Sequence, residues 1–282
     1  MKINTNISSL TAQEAATNTN RSISSSLEKL STGLKINKAS DDASGLAIAD
    51  KLRTQVTSIN QGVSNGNSAI ALLQIADKSM AEQSKILDTV KAKLIQANTA
   101  TTSADGRESI RKDITKLLEQ LDNIAQQTNY NGNYLLQLDA TSGAGATASL
   151  EFQVGEKTSD MITMSAVQAN TTGLSLTTLA GLATSGLTTT VAQTGQASVD
   201  SAITTLNGYR GDIGSTQNQV ESAVRNLMTQ ATNIKNAESV IRDVDYAEES
   251  ANFNKLNIIS QAGSYAISQA NATQQNVLRL LQ

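Results

Sequence analysis

The chain has 282 residues, with 22 Lys and Arg against 25 Asp and Glu, a formal net charge of −3, and no His, Cys, Pro or Trp. That near-balance gives no positive field to draw in nucleic acid or anionic lipid, and without Cys or His the disulfide framework, the thiolate metal site and the commonest general base are all excluded. Aromatics are only 2% of the chain, so the filling is expected to be Ala, Leu, Ile and Val in long helices packed side by side.

The first element predicted in chain order is a helix over residues 1–36 with an interrupted stripe of Ile3, Ile7, Leu10, Ile23, Leu27, Leu30 and Leu34. The gap from Leu10 to Ile23 is not a whole number of heptads, so the stripe is expected to shift phase there. Its Asn, Thr and Ser residues have poor helix propensity, so order is expected only where a neighbour covers the stripe. Gly33 and Leu34 to Ala39 break the period. Ser40, Asp41 and Asp42 then read as a helix start, a capping hydroxyl followed by carboxylates at the positive end of the dipole.

The second helix carries Leu46, Ile48, Leu52, Val56, Ile59 and Val63, then Ile70, Leu73, Met80, Leu87, Val90 and Leu94, to about Gln96. Residues 98–106 read as a loop. Ile110, Ile114, Leu117, Leu121 and Ile124 predict a third helix folded back on the second, closed by turn residues from Asn129 to Asn133. Leu150, Phe152 and Val154 alternate with polar residues, as Ile162, Met164 and Ala166 do, which predicts a β-hairpin. Residues 170–197 read as short strands or turns on the surface.

Helical periodicity returns near Val199 and runs through Leu206, Ile213, Val220, Val224 and Ile234, with a break expected near Val244. The last stretch places Leu256, Ile259, Gly263, Ala266, Ala270, Thr273, Val277 and Leu280 at alternating steps of four and three, the seam of a helix made to pack on another. The two terminal seams are each other's nearest candidate partners. No apolar run reaches the roughly 18 residues of a membrane span, and the start lacks the apolar core of a secretory signal, so by the usual routes the chain is expected to stay in the cytoplasm. Missing proline removes slow X-Pro isomerisation from folding.

Long ordered motifs at both ends carry a resemblance. Ile3-Asn4-Thr5-Asn6, the run from Leu27 to Asn37, and Lys38 to Ala49 look like the amino-terminal signature of bacterial flagellin, and Gln127 to Gly132 is similar to the turn closing that half. Asp243 to Glu249, Gln261 to Gly263, Gln269 to Asn271 and Asn276 to Gln282 resemble its carboxy-terminal signature. The resemblance implies a mainly α fold: an elongated coiled-coil helical rod formed by both chain ends, with a small β-containing central insert. It implies residues 1–40 with 241–282 as an inner terminal domain, 41–140 with 198–240 as an outer rod, and 141–197 as a variable exposed β-rich segment.

The implied function is a non-enzymatic subunit that polymerises into the extracellular flagellar filament, the propeller for motility, after unfolded export. Implied partners are other copies of the chain, a secretion chaperone, the filament cap, hook-junction proteins and the export apparatus, with no cofactor, nucleic acid or membrane insertion. The residues expected at the self-assembly interface are Ile7, Leu10, Ile23, Leu27, Leu30, Leu34, Leu256, Ile259, Ala266, Ala270, Val277, Leu280 and Leu281. Hydrophobic residues off the seam, Ile258, Tyr265, Ile267, Leu278 and Leu281, exceed what one partner helix can cover, a reason to polymerise. Leu280→Asp is expected to abolish filaments.

Two departures from the family pattern stand out. Thr273-Gln274-Gln275 replaces a proline common before the final segment, so that helix is expected to run straighter. The innate-receptor stretch reads Leu87-Asp88-Thr89-Val90-Lys91-Ala92-Lys93-Leu94; Thr89 stands for an arginine and Ala92 for a glutamate, similar to the Campylobacter-like variant, which puts recognition by the Toll-like receptor in doubt.

Other motifs read as structure. Arg210-Gly211-Asp212 spells an adhesion tripeptide inside a predicted helix; Gly208, Gly211 and Gly214 suggest close backbone contact or a kink; Asp243, Asp245, Glu248 and Glu249 lack the glycine-turned loop of a calcium site. Asp41 with Asp42, or Lys29 with Ser31, lack the orienting third group that catalysis needs. Central Ser and Thr residues could carry O-linked sugars, with solubility the simpler explanation. A different secretion-system filament, or a cytoplasmic enzyme or signalling coiled coil, are the competing classes.

Overall fold

The computed structural model describes residues 5–280, and of residues 274 and 276–280 the backbone alone. The helices are α1 (Ile7–Thr32), α2 (Ala43–Ala97), α3 (Ala104–Gln127), α4 (Thr177–Ala180), α5 (Thr189–Arg242) and α6 (Tyr246–Leu280). Four short strands lie between α3 and α4: β1 (Asn129–Tyr130), β2 (Asn133–Tyr134), β3 (Leu150–Gln153) and β4 (Met161–Met164). The expected helices at both ends with a small β insert are what the chain forms. It divides into two compact units, residues 1–56 with 232–282, and residues 57–231.

The unit of residues 57–231 holds a dry core. On α2 the side chains of Leu73, Ala76, Met80, Gln83, Leu87, Val90, Leu94 and Ala97, spaced three and four apart, are all 0% exposed. They face Ile114, Leu118 and Leu121 of α3 and Val199, Leu206, Ile213 and Val220 of α5, all at most 1% exposed, a helical seam of apolar knobs interrupted once by an amide. Gln83 is the interruption. Its Nε2 donates to the carbonyls of Leu121 at 3.1 Å and Ala169 at 2.7 Å, tying α2 to α3 and to the central segment at one position. Both donors of the buried amide are met while its Oε1 is buried without a hydrogen-bond partner, and the two donor bonds fix register as an apolar residue would not.

α3 starts where Ser103 Oγ accepts from Gly106 N at 3.1 Å and ends at Thr128, whose N–H and hydroxyl both return to the Ile124 carbonyl. Asn131 and Gly132, at φ 51° and 85°, make the two-residue turn between β1 and β2, the conformation an Asn-Gly pair adopts most readily. β3 and β4 pair antiparallel, Phe152 opposite Ile162. This hairpin rests on α2: a Cβ at Gly62 would stand 2.4 Å from the Val154 carbonyl oxygen, so only glycine admits that approach.

The structure corrects the reading of residues 170–197. α4 and the start of α5 lie there, and Leu174, Leu176, Leu179, Leu187 and Ala192 are buried. The segment is anchored by polar groups that sequence periodicity does not register. Asp122 accepts from Thr171 N and Oγ1 at 2.7 and 2.8 Å, and Asn170 donates to the Ala144 carbonyl at 2.7 Å and to Gln137 Oε1 at 3.1 Å. Gly208, Gly211 and Gly214 have no neighbour within 4 Å of a built Cβ, so the close contact expected of them is absent among the described residues.

Candidate self-assembly surface

In the other unit α1 and α6 pair antiparallel. Asn6 Nδ2 donates to the Ala270 carbonyl at 3.1 Å, a Cβ at Gly263 would stand 3.9 Å from that of Ala16, Ser260 Oγ donates to Asn20 Oδ1 at 3.3 Å, and Ser26 donates to Glu249. Past the helices, Lys35 N donates to the Arg242 carbonyl at 2.6 Å and Val244 N to that of Gly33 at 3.0 Å. Asn6 caps α1 by accepting from Ser9 N, and Gly33, at φ 75°, ends it in the left-handed conformation with its N–H on the Lys29 carbonyl. α1 is rich in hydroxyls, and Thr11, Thr17, Thr19, Ser22 and Ser24 each donate back to the carbonyl four residues earlier, which satisfies the hydroxyl without supporting the helix, so the order of α1 rests on its seam with α6.

The seam's phase differs from the expectation. On α1 Ser9, Ala12, Ala16, Thr19, Ile23, Ser26 and Leu30 are half-buried or buried in an unbroken three-four repeat with no shift, and Glu28 and Lys29 beside its end are half-buried as well. On α6 the matching repeat among the described residues is Glu249, Phe253, Leu256, Ser260, Gly263, Ile267 and Ala270, with Ser250 and Asn257 half-buried beside it. Of the expected interface residues, Ile23, Leu30, Leu256 and Ala270 lie in this seam, and Leu34, half-buried just beyond α1, bridges to Asp243. Ile7, Leu10 and Leu27 do not, at 64%, 56% and 55% exposed, nor do Ile259 at 42% and Ala266. The reason is geometric: small residues let the two backbones approach, and the large side chains beside them turn outward. The side chains of Val277 and Leu280, and all of Leu281, lie outside the described residues.

What remains uncovered is apolar and periodic. Ala251, Ile258, Tyr265 and Ala272 recur every seventh residue on the face of α6 opposite the seam, with Ile259 and Ala266 beside them, and all are exposed. Among the described residues of α1 and α6 only Ser26 is buried. The pair therefore has a seam but no core of its own.

The polar groups near the chain's candidate sites are engaged in structure. Asp42 Oδ1 accepts from Gly45 N at 2.9 Å and caps α2, which starts at Ala43, so Asp42 takes the capping role expected of Ser40. Asp41 accepts from the N–H groups of Lys38 and Asn37, which hold its carboxyl below the ordinary value. Asp245 accepts from Ala247 N and Glu248 N at the start of α6. Arg210 pairs through Nε with Asp77 at 2.9 Å within the other unit, so the adhesion tripeptide is helical and tied down. In the innate-receptor stretch Leu87, Val90 and Leu94 are core residues, and Thr89 and Ala92 are exposed.

One ion pair is built more tightly than the rest. Arg111 clasps Glu108 through Nη2 at 2.7 Å and Nε at 2.9 Å, and donates through Nη1 to the Leu182 carbonyl, while Ser185 N donates to the same carboxylate at 2.9 Å. These donors, Arg111 first and Ser185 second, hold the Glu108 carboxyl down to about 2.

The described residues thus form a paired hairpin of the chain ends with no core of its own and a second unit with a buried core, the pattern of a helical structural subunit. The chain belongs to the bacterial flagellin family, the structural subunits of the extracellular flagellar filament: the model described as the bacterial flagellin N-terminal helical region matches residues 3–141, and that of the C-terminal helical region residues 196–281. It is 34% identical to the flagellin of Bacillus subtilis, covering 100% of both chains. It is 49% identical over 154 residues to Flagellin B of Helicobacter pylori, a match spanning 55% of this chain and 29% of that protein. The crystal structure of Bacillus cereus flagellin is similar with a TM-score of 0.50 at 28% identity, over 62% of this chain and 94% of that one. No described helix is long and apolar enough to cross a membrane.

Proposed function

We propose that this chain polymerises through the outward faces of its terminal hairpin, other copies supplying the core that α1 and α6 lack. The observation that carries the reading is the contrast between a single buried residue among the described residues of α1 and α6 and the fully buried seam of α2. Each Ile or Leu moved from water into a contact between copies contributes about 1.5–3 kcal/mol, so Ile7, Leu10, Leu27, Ile258, Ile259 and Tyr265 together supply a driving force that repeats at every subunit. The half-buried Ile23, Leu30, Leu34, Leu256 and Ala270 set the hairpin's register, and Ala266 extends the contact surface; Val277, Leu280 and Leu281 are assigned to it from the sequence alone.

The same reading includes unfolded export, with a chaperone holding the sticky ends and cap and hook-junction proteins guiding growth; a chain with no Pro and no Cys has no slow isomerisation or disulfide step to delay refolding after passage. It also includes weak engagement of the Toll-like receptor, since Thr89 and Ala92 offer neither charge nor bulk at the exposed positions of that stretch. Removing residues 1–32 and 246–282 tests the reading. The trimmed chain should give no sedimentable fibres even when seeded, and long fibres formed unaided would defeat it.

A further inference from the structure

The chain contains three Asn-Gly pairs, Asn65-Gly66, Asn131-Gly132 and Asn207-Gly208, and the fold places them in different settings. In such a pair the glycine nitrogen can attack the asparagine Cγ and close a five-membered ring, and the missing side chain leaves that nitrogen uncrowded. The reaction needs the nitrogen free and the chain able to rotate it onto Cγ. Gly66 lies inside α2 and Gly208 inside α5, where the N–H is committed to the carbonyl four residues earlier and the dihedrals are held. Asn65 is fixed a second time, since its Oδ1 accepts from Gln61 Nε2 at 2.9 Å and its Nδ2 donates to the Gln153 carbonyl at 3.1 Å.

Asn131-Gly132 is the turn between β1 and β2. Both residues are exposed, and among the described residues neither the Asn131 amide nor the Gly132 N–H has a hydrogen-bond partner. A Cβ built on Gly132 meets nothing within 4 Å, so the room a tetrahedral adduct needs is open. Ring closure also requires rotation about the Asn131 Cα–C bond, out of the turn conformation. The ladder that resists this rotation is two pairs long, Asn129 with Tyr134 and Tyr130 with Asn133. A two-stranded ribbon of that length opens at little cost, whereas freeing Gly66 or Gly208 means opening the middle of a long helix.

We propose that Asn131 is a site of spontaneous deamidation in the unassembled chain. Gly132 N gives up its proton to solvent and bonds to Asn131 Cγ; the Cγ–Nδ2 bond breaks, and Nδ2 takes a proton from solvent and leaves as ammonia. The product is a succinimide. Water then adds to one of its two carbonyls: breaking the bond from Cγ to the ring nitrogen gives aspartate, and breaking the one from the backbone carbonyl carbon gives isoaspartate. No oxidant or reductant takes part. Either product puts a carboxylate at the turn, and isoaspartate also lengthens the backbone there by one methylene.

The test incubates the soluble full-length chain at neutral and mildly alkaline pH, digests it and follows all three Asn-Gly peptides by mass spectrometry, with isoaspartyl methyltransferase as the probe for isoaspartate. Asn131 should convert at least about tenfold faster than Asn65 and Asn207, whose glycine nitrogens are released only by local opening. The rate should rise with pH, and isoaspartate should exceed aspartate. Gly132→Ala should slow conversion at Asn131 about tenfold, a methyl group now crowding the attacking nitrogen. In the same chain unfolded by urea the three sites should converge to within about threefold, because no helix then protects two of them. Equal rates at the three sites in the folded chain, no isoaspartate at Asn131, indifference to Gly132→Ala, or a gap that persists in urea overturns the proposal.

Discussion

Ser26 of α1 donates its hydroxyl to the Glu249 carboxylate of α6, across 223 positions of chain and inside the narrow seam of the terminal hairpin. Ser26 is 3% exposed, so the bond is shielded on the α1 side. A hydrogen bond to a charged partner contributes about 1–2 kcal/mol net in such a half-sheltered place. Ser26→Ala should therefore raise amide exchange in the middle of α1 about fivefold or more in assembled protein. Unchanged exchange would show that α1 and α6 are held by apolar contacts alone.

Gly62 is expected to be intolerant of any side chain. A Cβ there would stand 2.4 Å from the backbone oxygen of Val154, which cannot rotate away as a flexible side chain could. Gly62→Ala should lift the β3–β4 hairpin from α2, giving fast hydrogen exchange over residues 150–164 while α3 stays protected. Local loosening without global unfolding is the outcome to measure.

The Glu108–Arg111–Ser185 clasp makes a pH prediction with a defined sign. The folded-state value of Glu108 is about 2, below its ordinary 4.5. A depressed carboxyl adds stability that is present above the ordinary value and lost as pH falls through the folded one. The loop at Leu182–Ser185 should hence stay closed at pH 5 and loosen progressively between about pH 4.5 and 2. Glu108→Gln should leave that loop mobile at neutral pH and remove the acid-dependent step, as read by exchange at those amides.

The long helices, the break near Val244 and the β3–β4 hairpin were legible because each rests on a period that the side chains spell out. The phase of the terminal seam was not. Periodicity points to large residues such as Ile7, Leu10 and Leu27, whereas the hairpin closes through Ser9, Ala12, Ala16 and Thr19 against Ser260, Gly263, Ile267 and Ala270. The three-four repeat of small residues on α1 was the available signal. In the assembly proposed above, the largest apolar residues of such a helix are left to other copies. Residues 170–197 escaped for a different reason: Asp122 and Asn170 hold the start of that segment by side-chain hydrogen bonds, and Gln83 the residue just before it, and such bonds have no periodicity to read.

Ile258 and Tyr265, at 67% and 73% exposed, stand on the face of α6 turned away from its seam. The most direct measurement of the central claim is sedimentation of seeded filaments from Ile258→Asp and Tyr265→Asp chains, with Ile258→Leu as the volume-conserving control. The terminal hairpin as described requires that both charged variants keep the fold of residues 57–231 by circular dichroism yet fail to pellet, and that the leucine control polymerises normally, because a carboxylate carried into an apolar contact without a partner is strongly unfavourable. Filaments of ordinary length and yield from either aspartate variant would contradict it.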